Sequence, residues 1–107
     1  MSNEYIPKEI EKIAWSFRYF VKKRSYNFID RITNAVTPEV AIEALKDALR
    51  VLRSAYDRGD KELEYLPSEK EVAKFIEYIK EDISYAKILG SLVFVWTPEE
   101  KKIEGGE

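Results

Sequence analysis

Residues 28–41 read FIDRITNAVTPEVA, and the fold turns on how this stretch is parsed. Phe28, Ile29, Ile32 and Val36 recur at helical spacing and share one face, so the pattern predicts a short helix over about Asn27 to Val36. Thr37-Pro38 then interrupts it, because the residue before a proline is pushed out of the α region. The same pair can open the next helix. Thr37 supplies an N-cap oxygen, Pro38 suits the first helical position, and Glu39 meets the positive end of the helix dipole. The break therefore reads as a corner between two helices.

Upstream, a first helix is expected from near Pro7, with Ile10, Ile13, Ala14, Phe17 and Val21 on one face and Lys22-Lys23-Arg24 at its negative end. Downstream, the third helix continues to about Arg58. Ala41, Leu45, Ala48, Leu52 and Ala55 step by four and three, and the alanines let a neighbour approach closely. Gly59 is a natural stop. Residues 60–67 form a polar loop, and Ser68 with Glu71 has the spacing of a capping box. Val72, Ile76, Ile79, Ile83, Ala86, Gly90 and Val93 then keep the four-three rhythm, which predicts one long fourth helix to about Phe94, ended by Thr97-Pro98. SLVFVW also has strand propensity, so a minor β element near Leu92 to Trp96 is the alternative there. Gly90 reads as a site of close helix approach or, failing that, a hinge. Residues 98–107 read as a flexible tail. The expectation is a single all-α domain over residues 1–107, a bundle of about four helices.

Composition removes several functions. The chain has 107 residues, 45% hydrophobic and 36% charged, which suits one globular domain. It has no cysteine and no histidine, so disulfides, thiolate metal sites and imidazole bases are all excluded. Its carboxylates sit among lysines at helical spacing, as Glu77 does with Lys80, the pattern of a solvated ion-paired face. The four glycines are Gly59, Gly90, Gly105 and Gly106, too scattered for a phosphate loop. No enzyme activity, cofactor or metal is expected. No apolar leader or membrane-length run is present, so a cytoplasmic, non-membrane location is expected. Abundant Glu, Lys, Arg and Ile without Cys fits a thermophile.

The net charge of −2 conceals an asymmetry. Residues 1–56 carry ten Lys/Arg against seven Asp/Glu, whereas residues 57–107 carry eight against thirteen. Arg18, Lys22, Lys23 and Arg24 cluster at the end of the first helix, with Arg31 one helix later. Lys46, Arg50 and Arg53 share a face of the third. Such cations can hold a single-stranded nucleic-acid backbone regardless of sequence. Trp15, Tyr19 and Tyr26 lie close by, where aromatics can stack bases, anchor a protein interface or close the core. Pairing with Glu43, Asp47 and Asp57 would instead leave an ordinary solvated face.

Two passages together resemble the small subunit of archaeal type I-A CRISPR surveillance complexes (Cascade). The first is Asp30-Arg31-Ile32 with Asn34-Ala35, leading into a helix that carries Arg50-Val51-Leu52. The second comprises Phe75-Ile76, Lys80 to Ile83, Tyr85-Ala86 and Trp96. The resemblance implies a helical, non-catalytic subunit acting in antiviral defence. It would contact the guide-RNA backbone subunits, the large subunit and a nucleic-acid strand, and would self-associate. Longer members carry a β-rich insertion between the two passages, where this chain has only a short loop. The resemblance also implies that the Thr37-Pro38 corner brings Arg31 towards the Arg18 to Arg24 patch, giving one cationic surface. The competing expectation is a helical adaptor or oligomerisation module with no nucleic-acid role.

Overall fold

A computed structural model describes residues 6–95, and among them it contains five α-helices and no strand. These are α1 (Lys8–Lys22), α2 (Asn27–Thr33), α3 (Pro38–Asp57), α4 (Glu69–Glu81) and α5 (Ser84–Val95). The all-α expectation holds. The expected tail, Trp96 and the Thr97-Pro98 stop lie outside the described residues, while residues 92–95 continue α5 rather than form a strand.

The corner at residues 37–38 forms as the sequence predicts. Thr37 is extended, and its hydroxyl accepts the Val40 N–H at 3.2 Å, satisfying one of the donors left over at a helix start. The capping box at α4 is also complete: the Glu71 N–H reaches Ser68 Oγ at 3.1 Å, and the Ser68 N–H reaches Glu71 Oε1 at 3.0 Å.

Two expectations need correction. The helix α2 stops at Thr33, so Val36 leaves the predicted face and stands 85% exposed, while Ala35 turns inward in its place. Helical spacing has no meaning past the last helical turn. The long fourth helix is two helices. Asp82 adopts an extended backbone, and its carboxylate accepts the Ser84 N–H at 2.9 Å, so Asp82 ends α4 and starts α5. The four-three rhythm runs straight through this break, because Ile79 and Ala86 are buried on both sides of it. The local signal for the break is Asp82 two residues before Ser84, a side-chain-to-backbone turn that competes with the helix.

The break lets α5 lie against α1 and α2 while α4 packs on α1 and α3. The shared core holds Ile10, Ile13, Phe17 and Phe20 of α1, Ile29 and Ile32 of α2, Leu45 and Leu52 of α3, Phe75 and Ile79 of α4, and Leu89 and Val93 of α5. Each such side chain contributes about 1.5–3 kcal/mol on burial. Small residues set the distances. Ala41, Ala44, Ala48 and Ala55 are all buried along α3. Gly90 sits directly on α2: a Cβ there would lie 2.1 Å from Thr33 Cγ2 and 3.1 Å from its Cβ. Close approach, not a hinge, explains this glycine, and the bend of the chain falls at Asp82 instead.

This contact gives a test. Gly90→Ala gains helix propensity of about 1 kcal/mol but forces Thr33 aside, and overpacking costs about 1–3 kcal/mol. The expected result is a net loss of about 1 kcal/mol in urea denaturation. Adding Thr33→Ser, which removes the nearest methyl group, should recover most of it. A Gly90→Ala variant more stable than the wild type by the full helix-propensity gain of about 1 kcal/mol would show that α2 and α5 do not meet this closely.

Candidate nucleic-acid interface

The predicted cations divide into three groups. At the end of α1 the expected cationic surface does not form. Arg18 is 4% exposed, within the packed interior of the bundle. Lys22 and Lys23 face the loop after α3. Lys22 Nζ pairs with Glu64 and reaches the Glu62 carbonyl at 3.4 Å. Lys23 Nζ lies 2.9 Å from Glu62 and 3.3 Å from Asp60. The acidic half of the chain thus folds back over the basic half. The pairing acids are Asp60, Glu62 and Glu64, and they are visible in the sequence as carboxylates at every second position of an otherwise unassigned loop.

Two aromatic residues hold that loop in place. Tyr19 is buried, donates its hydroxyl hydrogen to Asp60 at 2.8 Å, and accepts from Arg58 at 2.9 Å. Trp15 stacks on Tyr65 with ring centroids 5.1 Å apart and planes 6° from parallel, and its indole N–H donates to Glu64 at 3.0 Å. Tyr65 in turn donates to Glu71 at 2.7 Å. Lys12 lies 5.5 Å above the Tyr65 ring, and Lys23 lies 5.5 Å above the Tyr19 ring. Trp15 and Tyr19 therefore fasten the loop to α1. Of the three predicted contact aromatics, Tyr26 remains at the surface, 41% exposed.

The second group joins α2 to α3. Arg31 turns away from α1 and donates to Asp47 at 2.9 Å, and Arg50 pairs with the other oxygen of the same carboxylate. One acid therefore serves two arginines, and a positive charge is left over. Lys46 and Arg53 are on the same helix and form no ion pair among the described residues. The stripe of Lys46, Arg50 and Arg53 predicted for α3 is present, extended sideways by Arg31. Arg24 forms the third group, alone at the exposed end of α1.

The electrostatics follow these contacts. The Lys22 ammonium, then the Trp15 N–H, hold the Glu64 carboxyl below its ordinary range. The Glu62 backbone N–H, then the Tyr19 hydroxyl, do the same for Asp60. Arg31 and Arg50 lower Asp47. Hydrogen bonding to Glu71 pushes the Tyr65 hydroxyl up to about 12. Among the described residues no three acidic side chains converge as a metal ion would require, and no helix is long and apolar enough to cross a membrane. The arrangement can neutralise phosphate charge along α3.

Acid should loosen the loop. Asp60 and Glu64 bind protons more weakly when folded than when unfolded, so the unfolded chain takes up protons first as pH falls. Their contribution is complete above about pH 4–5, near the free carboxylate values, and is lost as pH drops through the folded values. Thermal melts followed by circular dichroism should be flat from neutral pH to about pH 5 and fall below about pH 4. Glu64→Gln should lower the melting temperature at neutral pH and reduce the acid-induced fall. An unchanged acid profile would mean that the Lys22–Glu64 pair does not hold the loop.

No curated protein and no solved structure matches the chain. Residues 16–64 match the family model of CRISPR-associated protein (Cas_Csa5). The matched segment runs from the second half of α1 through all of α2 and α3 to the acidic loop, so it contains the Arg18 to Arg24 cluster, Arg31 and the α3 stripe. It also contains the first of the two passages that carry the resemblance; the second lies beyond it. Over residues 16–64, then, this chain carries the pattern of the CRISPR-associated Cas_Csa5 family, as the sequence resemblance implied.

Proposed function

We propose that this chain is a non-enzymatic small subunit of a CRISPR effector ribonucleoprotein of the Cascade type, which lies against the backbone of a guide or target strand in antiviral defence. The observation that carries this reading is the α3 stripe inside the family match: Lys46, Arg50 and Arg53 lie along one helix, with Arg31 tied to them through Asp47. At about 1.5 Å per residue, the step from Lys46 to Arg53 covers roughly 10 Å of helix axis. A stacked strand rises about 3.4 Å per nucleotide, so the stripe spans about three phosphates. Contacts of this kind recognise charge and not sequence, as a subunit common to many guides requires.

The same molecule has an apolar corner for neighbouring subunits. Val36 is 85% exposed and Val40 49%, at the turn between α2 and α3. Neither belongs to the core, and exposed valines at a rigid corner suit a subunit interface. Partner subunits, self-association and the guide RNA belong to this proposal.

The test is fluorescence anisotropy of a labelled single-stranded DNA across a salt series. The triple variant Lys46→Glu, Arg50→Glu, Arg53→Glu should weaken binding at least about tenfold at low salt. It should also flatten the dependence of log K on log salt by about two, since each neutralised phosphate contributes about 0.7 on a single strand. Lys22→Gln with Lys23→Gln should lower the melting temperature and leave that slope nearly unchanged. A wild-type chain with no salt-dependent binding, alone or in its assembled complex, would leave the helical adaptor as the better description.

A further inference from the structure

Two helices of this protein end in the same way with different residues. After α3, the Asp60 N–H returns to the Ala55 carbonyl at 3.0 Å and the Gly59 N–H to the Tyr56 carbonyl at 3.0 Å. Gly59 takes φ +72°, the left-handed conformation this cap requires. After α1, the Ser25 N–H returns to the Phe20 carbonyl at 2.8 Å and the Arg24 N–H to the Val21 carbonyl at 3.1 Å. The left-handed position here is Arg24, at φ +59°. It is the one non-glycine residue with positive φ among the described residues. A side chain in this conformation crowds its own backbone, which is why glycine usually occupies the position.

The arginine gains little from the fold in return. Its side chain is exposed and forms no ion pair among the described residues. It stands two residues before Tyr26, which is 41% exposed and lies against Phe94 of α5, itself 47% exposed. The two ring centroids are 5.9 Å apart, with planes inclined at 39°. The phenylalanines of the core, Phe17, Phe20 and Phe75, are fully buried by contrast. An exposed arginine at an unfavourable backbone position, two residues along the chain from an exposed pair of touching rings, matches a nucleotide: a phosphate for the cation and a base for the rings. Asp30 is exposed one turn further along α2, so a strand would cross from the end of α1 over the ring pair instead of following α2.

We propose that Arg24, Tyr26 and Phe94 form a single-nucleotide subsite for single-stranded nucleic acid, with Arg24 on the phosphate and the ring pair stacked on the base. This rests on the strand-binding function proposed above and adds base contact to a surface otherwise limited to the backbone. The subsite tolerates any base, since every base presents a flat face.

The test uses labelled single-stranded DNA with the full chain and three variants. Arg24→Gly is expected to raise the melting temperature, because glycine relieves the left-handed position, and still to weaken binding. It should flatten the log K against log salt slope by about 0.7, the share of one phosphate on a single strand. Tyr26→Ser and Phe94→Ser should each weaken binding by roughly fivefold or more, with the salt slope unchanged. If all three bind like the wild type while the α3 triple variant fails, the subsite is wrong and the strand-binding function stands. If both ring variants bind normally, the stacking role is wrong whatever Arg24→Gly does. If the ring variants keep DNA binding but lose a protein subunit in pull-downs from the host, the rings are a protein contact and the subsite is wrong. If the wild type does not bind, alone or in its assembled complex, both proposals fall.

Discussion

The close approach of α2 to its neighbours is the constraint on which the remaining geometry depends. A helix of seven residues has no stability of its own, because nucleation costs more than so few hydrogen bonds return. It persists here because Ile29 and Ile32 are fully buried and α2 packs on both α3 and α5. That burial requires small residues on the facing surfaces. Gly90 leaves room for Thr33, and the alanines of α3 leave room for a helix alongside. The exposed groups between α1 and α3 are placed by this wedge. Tyr26 precedes it, Arg31 projects from it towards Asp47, and Val36 follows it.

Charge is organised by a second, weaker constraint. The loop between α3 and α4 contributes Asp60, Glu62 and Glu64 to the basic end of α1, and Tyr19, Trp15 and Tyr65 clamp it there. Individually, exposed ion pairs contribute little. Their consequence here is spatial. Cations that look available in the sequence are occupied, and the accessible positive charge moves to α3 and to Arg24. The surface proposed to hold nucleic acid thus arises by subtraction, from the cations that the acidic loop does not cover.

The starts of α1 to α4, the Thr37 cap, the Ser68–Glu71 box and the alanine seam are all legible in the sequence, because each depends on residues within one or two turns of one another. So are the stripe of Lys46, Arg50 and Arg53 and the two faces of α3. The break at Asp82 is written in the sequence too, but an uninterrupted apolar rhythm outweighs a single capping side chain when the two are read together. Val36 falls off its expected face because α2 ends before its apolar spacing does.

By itself, the amino-acid sequence determined the class of fold, most of the places where helices start, and which residues could carry charge or stack. These are local properties, governed by periodicity, caps and side-chain type. Only the tertiary structure decided which charges remain accessible and which aromatics remain open. Lys22 is separated from Glu64 by 42 positions, and Tyr26 meets Phe94 from the opposite end of the chain. Whether such pairs meet depends on how five helices share one core. A cation becomes part of a binding surface when no acid reaches it first, and that is settled by packing across the whole chain.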